Sequence, residues 1–228
     1  MKTIGLIGGI TPQSTIMYYQ VLNKLASETF GEKHSAKVVM NAVDFGEISK
    51  LQSEGRWDLL ARIMVDAAKS LQAAGAHCIL ICANTMHLTI AEVREAVTIP
   101  VIHIAEATGT IILESKLKKV ALLGTKYTME KTFYTDVLKN MGIEAIIPEE
   151  EDRTIIHDVI YNELSKGILN EASQKAYIAI IEKLAQKGAE GVILGCTEIP
   201  LLVAQKDVSI PVFDTTTIHA TAAFKQSV

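Results

Sequence analysis

Two cysteines stand at the ends of apolar stretches, where a thiol could face a ligand. Cys82 follows residues 78–81, and Cys196 follows residues 191–195. A cysteine that ends a buried strand just before a turn or a helix lies close to backbone N–H groups, which lower the pKa of a thiol towards neutrality. This pattern predicts that Cys196 is a functional thiol, with a small buried apolar residue as the ordinary alternative.

Polar residues follow the first cysteine. Asn84 and Thr85 offer an amide, a hydroxyl and backbone donors that suit a carboxylate. Cys82 and Ala83 are adjacent, so their side chains face opposite sides unless the strand ends between them. His87 could carry a proton, but a single histidine at a helix start more often caps or packs. The sequence therefore predicts Asn84 and Thr85 as ligand-binding residues and leaves the direction of the Cys82 side chain open.

Two strand-to-helix loops, residues 8–15 and 124–128, combine glycines with hydroxyl groups. Neither contains the Gly-Lys-Ser/Thr ending of a phosphate loop or the G-x-G-x-x-G dinucleotide pattern. Hydroxyl and N–H donors at helix starts also bind carboxylates. We therefore predict substrate contacts from these loops and from the residue after the second cysteine, namely from Thr11, Gln13, Thr125, Thr128 and Thr197.

Short apolar runs alternate with longer amphipathic segments along the chain, which predicts parallel strands covered by helices. Thr11 and Pro12 predict a helix start, with threonine as the N-cap and proline in the first turn. Further helices are predicted over residues 56–74, 128–141 and 171–187, each ended by a glycine. The predicted strands are Thr3–Ile7, Lys37–Ala42, Cys78–Ile81, Val101–His103, Val120–Leu123, Glu144–Ile147, Gly191–Leu194 and Pro211–Phe213.

The order of these elements repeats. In each half a strand leads into a glycine-containing loop and a helix, and a cysteine follows a later strand at nearly the same separation. The repeat predicts an α/β fold of two similar lobes, each a mostly parallel sheet flanked by helices, related by a pseudo-twofold with the active site between them. The first lobe is predicted to comprise residues 1–100 and 211–228, and the second lobe residues 101–210.

Composition narrows the classes of protein that this chain could be. It has 228 residues, of which 49% are hydrophobic and 21% charged, as expected for a folded chain with two compact lobes. A formal net charge of −4 without a basic stripe argues against nucleic acid as a partner. No apolar stretch approaches the roughly 20 residues of a membrane helix, and the first apolar run is too short for a signal peptide.

Cysteine and histidine usage adds two expectations. Three cysteines fit a reducing compartment rather than a disulfide framework, so a cytoplasmic protein is expected. Six histidines are scattered without ligand spacing, which predicts no metal site.

The chain resembles the aspartate/glutamate racemase family over nearly its whole length. The segments that carry the resemblance are Ile4–Gly9, Cys82-Ala83-Asn84-Thr85-Met86-His87, Ala121-Leu122-Leu123-Gly124-Thr125 and Gly195-Cys196-Thr197-Glu198-Ile199. The subgroup that acts on acidic amino acids is also similar at Val43-Asp44-Phe45, Tyr127-Thr128-Met129-Glu130 and Pro211-Val212-Phe213-Asp214. The resemblance implies racemisation of aspartate or glutamate without pyridoxal phosphate or another cofactor, by homodimers of two-lobed subunits.

The resemblance also implies a two-base mechanism. One cysteine thiolate removes the α-proton of the amino acid, and a thiol on the opposite face returns a proton. The α-proton is so weakly acidic that the dianionic intermediate must be strongly stabilised. Many members place the first cysteine directly before Asn-Thr, where this chain has Ala83, although a Cys-x-Asn-Thr variant also occurs. If Cys82 faces away from the substrate, Cys196 is the single thiol base, and the returned proton comes from water or from a hydroxyl such as that of Thr85.

Three other functions stay open at this point. Cys196 alone could serve an isomerase, a decarboxylase or a hydrolase as its nucleophile or acid. The same scaffold could bind an amino acid without catalysis, because Ala83 replaces a thiol. A nicotinamide-dependent dehydrogenase is disfavoured, because the glycine fingerprint is absent.

Overall fold

The structure is a computed structural model that describes all 228 residues. The chain divides into two compact units, of which unit 1 comprises Met1–His103 and His219–Val228 and unit 2 comprises Ile104–Ile218. The division differs from the predicted one at residues 101–103 and 211–218. Residues 101–103 belong to unit 1. Residues 211–218 belong to unit 2, because the last strand of the chain pairs with a strand of that unit.

Unit 1 contains a three-stranded parallel sheet with the order β2-β1-β3. Its strands are β1 (Ile4–Gly8), β2 (Val38–Ala42) and β3 (Cys78–Ile81). The predicted strand Val101–His103 is absent, since only an isolated bridge links Val101 to Ile79. The helices of this part of the chain are α1 (Pro12–Phe30), α2 (Phe45–Ser53), α3 (Trp57–Ala73) and α4 (Ile90–Ala96), with a 3-10 helix at Thr85–Thr89.

Unit 2 contains a four-stranded parallel sheet with the order β5-β4-β6-β7. Its strands are β4 (Lys119–Gly124), β5 (Glu144–Ile146), β6 (Val192–Gly195) and β7 (Val212–Asp214). The helices are α5 (Ile104–Glu114), α6 (Lys126–Glu130), α7 (Thr132–Asn140), α8 (Glu150–Asn162), α9 (Glu171–Gln186) and α10 (Ile199–Leu202), with 3-10 helices at Leu164–Lys166 and Gln205–Asp207. The last helix, α11 (Thr215–Ser227), begins in unit 2 and ends in unit 1.

Local sequence signals explain most helix ends. Thr11 is the N-cap of α1, as predicted, and Pro12 is its first residue. Gly75, Gly142 and Gly188 have φ angles of 83°, 81° and 93°, so the predicted glycine stops are confirmed. The predicted helix over residues 128–141 is instead two helices, α6 and α7, because Lys131 between them has an extended backbone.

The central strands are buried along their length, and apolar side chains from the helices pack on them. β1, β3 and β6 have every residue buried. Buried strands of this kind carry continuous apolar runs, which explains why the sequence predicted them closely. None of the helices combines the length and the apolar composition that crossing a bilayer requires.

Candidate active site

Buried hydroxyl groups hold the loop between β1 and α1. Thr11 Oγ1 accepts a hydrogen bond from the Ser14 N–H at 3.3 Å, and Thr15 Oγ1 accepts one from the Gly9 N–H at 2.8 Å. Ser14 Oγ donates to the Cys82 carbonyl at 2.6 Å. This last bond ties the start of α1 to the end of β3. Thr11, predicted as a substrate contact, thus has a structural role as the helix cap.

Gly9 shapes the same loop. Its φ angle is 85°, and a Cβ atom at this position would lie 2.1 Å from the Val43 carbonyl oxygen. Any side chain would therefore displace backbone here.

Gln13 presents an acceptor at the start of α1. Its side chain is half-buried, and its Oε1 atom is buried without a hydrogen-bond partner. Orphaned buried acceptors are uncommon in folded proteins. An amide oxygen can accept a hydrogen bond from an ammonium group but cannot donate one to a carboxylate.

Cys82 and Ala83 separate at the end of β3. Cys82 is fully buried in an apolar cluster with Ile4, Leu6 and Tyr18. Ala83 packs in a different cluster, as the alternation of side chains along a strand requires. Burial raises the pKa of the Cys82 thiol far above its ordinary value. Cys82 is therefore held as a neutral core residue in unit 1.

The residues after Ala83 form a tight buried turn. Asn84 and Thr85 are 4% and 7% exposed, and Thr85 opens the 3-10 helix. His87 donates from its backbone N–H to the Asn84 carbonyl at 3.0 Å. Its ring nitrogen Nδ1 lies 2.9 Å from the Ala83 carbonyl oxygen.

In unit 2 two glycines bring neighbouring strand ends close together. Gly124 of β4 lies opposite Gly195 of β6 in the parallel register. A Cβ atom on Gly124 would lie 2.7 Å from the Gly195 carbonyl oxygen, and one on Gly195 would lie 2.8 Å from the Leu123 carbonyl oxygen. Thr125 and Cys196 follow these two glycines, so the sheet itself places them side by side.

Thr125 and Thr128 form a hydroxyl pair at the start of α6. The Thr128 N–H donates to Thr125 Oγ1 at 3.2 Å, and the two hydroxyl oxygens are also 3.2 Å apart. Both side chains are buried. The structure thus brings together two of the predicted substrate-binding residues of this unit.

The thiol of Cys196 is paired with a buried carboxylate. Cys196 Sγ donates to Glu198 Oε2 at 3.0 Å, and Thr197 Oγ1 donates to the same oxygen at 2.8 Å. Cys196 is 8% exposed, and Thr197 and Glu198 are each 3% exposed. A charge-assisted hydrogen bond in so dry a place is strong, because water competes little for either partner.

The pairing reverses one prediction, namely that the surroundings of Cys196 lower the pKa of its thiol. Burial, the charge of Glu198 and the hydrogen bond to Glu198 all raise the pKa of this thiol well above its ordinary value. Backbone N–H groups of Thr197 and Glu198 favour the thiolate, but burial and the Glu198 carboxylate outweigh these N–H groups. The nearest helix, α10, begins only at Ile199 and has four residues, so its dipole is weak.

One tyrosine of α8 and one of α9 pack in or against the apolar cluster that contains this thiol. Tyr177 packs in the same apolar cluster as Cys196 and donates its hydroxyl to the Ile156 carbonyl at 2.8 Å. The rings of Tyr161 and His157 lie 4.6 Å apart. His157 Nδ1 accepts the Lys126 N–H at 3.2 Å and so fixes the loop that begins α6.

Glu198 is the functional candidate that the sequence analysis did not single out. It lies in the segment that carries the family resemblance, next to Thr197, but glutamate side chains are seldom fully buried, so its residue type alone did not point to a buried site. A buried carboxylate beside a thiol is the kind of arrangement that shifts proton affinities at active sites. No group of three or more His, Cys, Asp or Glu side chains in the structure is arranged to hold a metal ion.

Comparison with known proteins identifies the family. The family model described as Asp/Glu/Hydantoin racemase matches residues 7–223. The chain belongs to this family. A proposed Asp/Glu racemase from Yersinia pestis is 46% identical, with a TM-score of 0.92 over 100% of this chain and 99% of that one.

Two further relatives support the assignment. An aspartate racemase homologue from Pyrococcus horikoshii OT3 is 37% identical, with a TM-score of 0.87 over 100% of this chain and 99% of that chain. The broad-specificity amino-acid racemase RacX of Bacillus subtilis is 23% identical, and the match covers 92% of each chain. The protein is thus a racemase, an enzyme of the isomerase class, and the predicted family and the predicted α/β fold of parallel sheets flanked by helices are confirmed.

Proposed function

We propose that the protein racemises an acidic amino acid, aspartate or glutamate, without pyridoxal phosphate and with Cys196 as the acid–base group. The buried hydrogen bond between Cys196 and Glu198 carries this proposal. The substrate class is supported by the description of the family and by the aspartate racemase homologue among the relatives.

The chemistry begins with the proton of the thiol. In the resting pair, Cys196 is a thiol and Glu198 is the carboxylate that accepts its hydrogen bond. When the proton moves from Sγ to Oε2, a thiolate and a neutral carboxylic acid result. The thiolate then accepts the α-proton of the amino acid, and the electron pair of the broken C–H bond is delocalised into the substrate carboxylate. In this scheme Cys196 stays a neutral thiol in the resting enzyme and becomes a thiolate only when Glu198 takes its proton.

Donor groups must stabilise the charge that develops on the carboxylate. In unit 2 the hydroxyls of Thr125, Thr128 and Thr197 serve this role in our proposal, because all three are buried. Thr197 follows the end of β6, and Thr125 and Thr128 lie at the start of α6, which follows the neighbouring strand β4. In unit 1 we assign Asn84 and Thr85 to a substrate carboxylate and Gln13 Oε1 to the ammonium group. Fixed donors in a dry site stabilise developing charge far better than water does.

The proposed mechanism is one-sided. Burial of Cys82 in an apolar cluster leaves Cys196 as the thiol base, and Ala83 offers no proton. After abstraction, the Cys196 thiol can return the proton to the same face, which regenerates the starting enantiomer. Inversion needs a proton from water or from a hydroxyl such as Thr85 on the other face. We therefore expect exchange of the α-proton to outpace inversion for one enantiomer.

The family resemblance extends the proposal to assembly and location. Dimers of two-lobed subunits are usual in the family, so we propose a homodimer in the cytoplasm. Light scattering of the purified protein measures the first point directly.

Deuterium exchange tests the proposed reaction. The enzyme is incubated with each enantiomer of aspartate and of glutamate in deuterated water, and the α-deuterium content and the enantiomer ratio are measured. We expect α-deuterium in both enantiomers of one acidic amino acid. Cys196→Ala should lower exchange by about 1,000-fold or more, since it removes the base.

Cys78→Ala is the matched control, because Cys78 is also a buried thiol but lies in the core of unit 1. It should leave exchange unchanged. Exchange that survives Cys196→Ala contradicts the assignment of the base. A melting shift with an amino acid but no exchange would favour a binding protein, and a covalent adduct at Cys196 would favour a hydrolase.

A further inference from the structure

Three histidines are buried together in unit 1, although none of them belongs to the proposed acid–base pair. His87, His103 and His219 are 1%, 3% and 0% exposed. The ring centroid of His87 lies 4.9 Å from that of His103 and 5.5 Å from that of His219. Polar rings are seldom placed in a dry core without a structural or functional reason.

The hydrogen bonds of the cluster fix the protonation of two rings. A carbonyl oxygen can only accept, so the ring nitrogen that faces it must carry a proton. His219 Nε2 faces the Ile102 carbonyl at 2.8 Å, and its Nδ1 therefore accepts the Tyr18 hydroxyl, also at 2.8 Å. His87 Nδ1 likewise donates to the Ala83 carbonyl at 2.9 Å.

The bond to Ala83 lies directly next to the proposed carboxylate-binding residues. The peptide group that carries the Ala83 carbonyl also carries the N–H of Asn84, so fixing one end orients the other. The His87 N–H closes the same turn by donating to the Asn84 carbonyl at 3.0 Å. One residue therefore holds two consecutive carbonyl groups of the segment 83–84.

We propose that His87 is a positioning residue that orients the Asn84–Thr85 turn through the Ala83 carbonyl. The edge of the His219 ring packs against His87 and holds it in place. Hydrogen bonds to Tyr18 and Ile102 fix the His219 ring in turn. The role deepens the proposed function, because it rests on Asn84 and Thr85 binding the substrate carboxylate. Tyr18 and His219 come from α1 and α11, so distant parts of the chain set the geometry of this turn.

A role as proton carrier does not suit His87. The carbonyls of Ala83, Asn84 and Ile102 favour the protonated ring, but burial outweighs them and lowers its pKa to about 4. The ring therefore stays neutral at physiological pH and keeps its Nδ1 proton for the Ala83 carbonyl.

Three substitutions of His87 separate these roles. His87→Asn keeps a donor near the position of Nδ1, His87→Gln moves the donor to the position of Nε2, and His87→Leu removes it. For a positioning role we expect KM for the acidic amino acid to stay within about threefold in His87→Asn and to rise about tenfold or more in His87→Leu, with His87→Gln between them. Ile79→Val, which removes one methyl group from buried β3, should lower the melting temperature without changing KM.

Amide hydrogen exchange of residues 84–87 gives a second readout, which needs no substrate. We expect faster exchange at these amides in His87→Leu and wild-type protection in His87→Asn. Unchanged KM and protection in His87→Leu would mean that the ring only fills space and would overturn the proposal. Equal loss of kcat in His87→Asn and His87→Leu, with a lost limb of the pH–rate profile, would make His87 a proton carrier and also overturn it. If the wild-type protein racemises nothing, the proposed function fails, while the exchange measurement still decides the positioning role.

Discussion

The ends of β3 and β6 carry similar motifs with buried thiols, but the two thiols have different neighbours. At β3 the thiol of Cys82 points into an apolar cluster, and the next side chain, Ala83, is inert. At β6 the thiol of Cys196 donates to a carboxylate at 3.0 Å. Because side chains alternate along a strand, Cys82 and Ala83 pack in different clusters. Both thiols directly follow the last residue of their strand, so the group that each thiol faces, rather than its presence, decides what chemistry it can do.

The two units also differ in the kind of titratable group that they bury. Unit 1 buries three neutral histidines, whereas unit 2 buries a carboxylate that receives two hydrogen bonds. The histidine of unit 2 with a lowered pKa, His157, is only half-buried. This contrast predicts that the units respond differently to acid.

Acid should destabilise unit 1 first, and this is the largest effect that we expect. Burial lowers the pKa of His87, His103 and His219 to about 4, 2 and 3, and the charge of Arg94 contributes at His87 and His103. The unfolded chain takes up protons near pH 6.5, so it binds more protons than the folded chain below that pH. Stability is therefore fully present above about pH 6.5 and is lost as the pH falls towards 4, by up to about 4 kcal/mol per pH unit for three histidines.

Urea unfolding at pH 7, 6 and 5, with hydrogen exchange to locate the loss, measures this effect. His219→Gln keeps a donor towards Ile102 and should reduce the pH slope, whereas His34→Gln, at an exposed histidine, should not. If unit 2 lost its protection first, the contrast between the units would be wrong.

Much of the fold was predictable because it depends on local signals. Buried strands such as β3 are continuous apolar runs, and the helix start at Thr11 needs only its own side chain and the proline that follows. The repeat in the order of the elements predicted the two lobes. The break at Lys131 was missed because the apolar spacing of α6 and α7 continues across it.

The features that were missed depend on distant partners. The strand Val212–Asp214 joins unit 2 through its pairing with β6, and nothing in its own sequence specifies that partner. The direction of the Glu198 side chain likewise follows from its contacts with Cys196 and Thr197. The motif around Cys196 was therefore predicted, while the sign of its pKa shift was not, because a buried charge outweighs backbone N–H groups.

Removing the charge of Glu198 should make the Cys196 thiol more acidic and, at the same time, slow catalysis. Because the Glu198 charge and hydrogen bond raise the pKa of the Cys196 thiol, Glu198→Gln should lower that pKa and speed alkylation of Cys196 at pH 8. The same change removes the proton acceptor, so kcat should fall by about 100-fold. Alkylation rates over a pH series and steady-state kinetics give the two quantities.

Glu163→Gln is the control for this prediction. Glu163 is a partly buried carboxylate of unit 2, where it accepts the Ser173 hydroxyl at 2.7 Å. Its loss should change neither quantity. Full activity in Glu198→Gln would show that the carboxylate is not the partner in proton transfer.

A thiol at position 83 should give the end of β3 an acid–base group, as Cys196 does at the end of β6. Ala83→Cys places a thiol one residue after Cys82, on the side of β3 that the alanine occupies now. If the mechanism is one-sided, a second thiol should raise the ratio of inversion to α-proton exchange by about tenfold, less than the roughly 100-fold or more that a positioned acid–base group usually contributes. Extra volume in a packed cluster should cost about 1–3 kcal/mol of stability.

Cys82→Ala supplies the counterpart. Cys82 lies in the core, so its removal should lower the free energy of unfolding by about 1 kcal/mol and leave the ratio of inversion to exchange unchanged. Loss of inversion in Cys82→Ala would make Cys82 the second base, and the strand ends would then differ in burial but not in chemistry. A raised ratio in Ala83→Cys together with an unchanged ratio in Cys82→Ala would establish that one position along β3 separates a one-sided from a two-sided racemase.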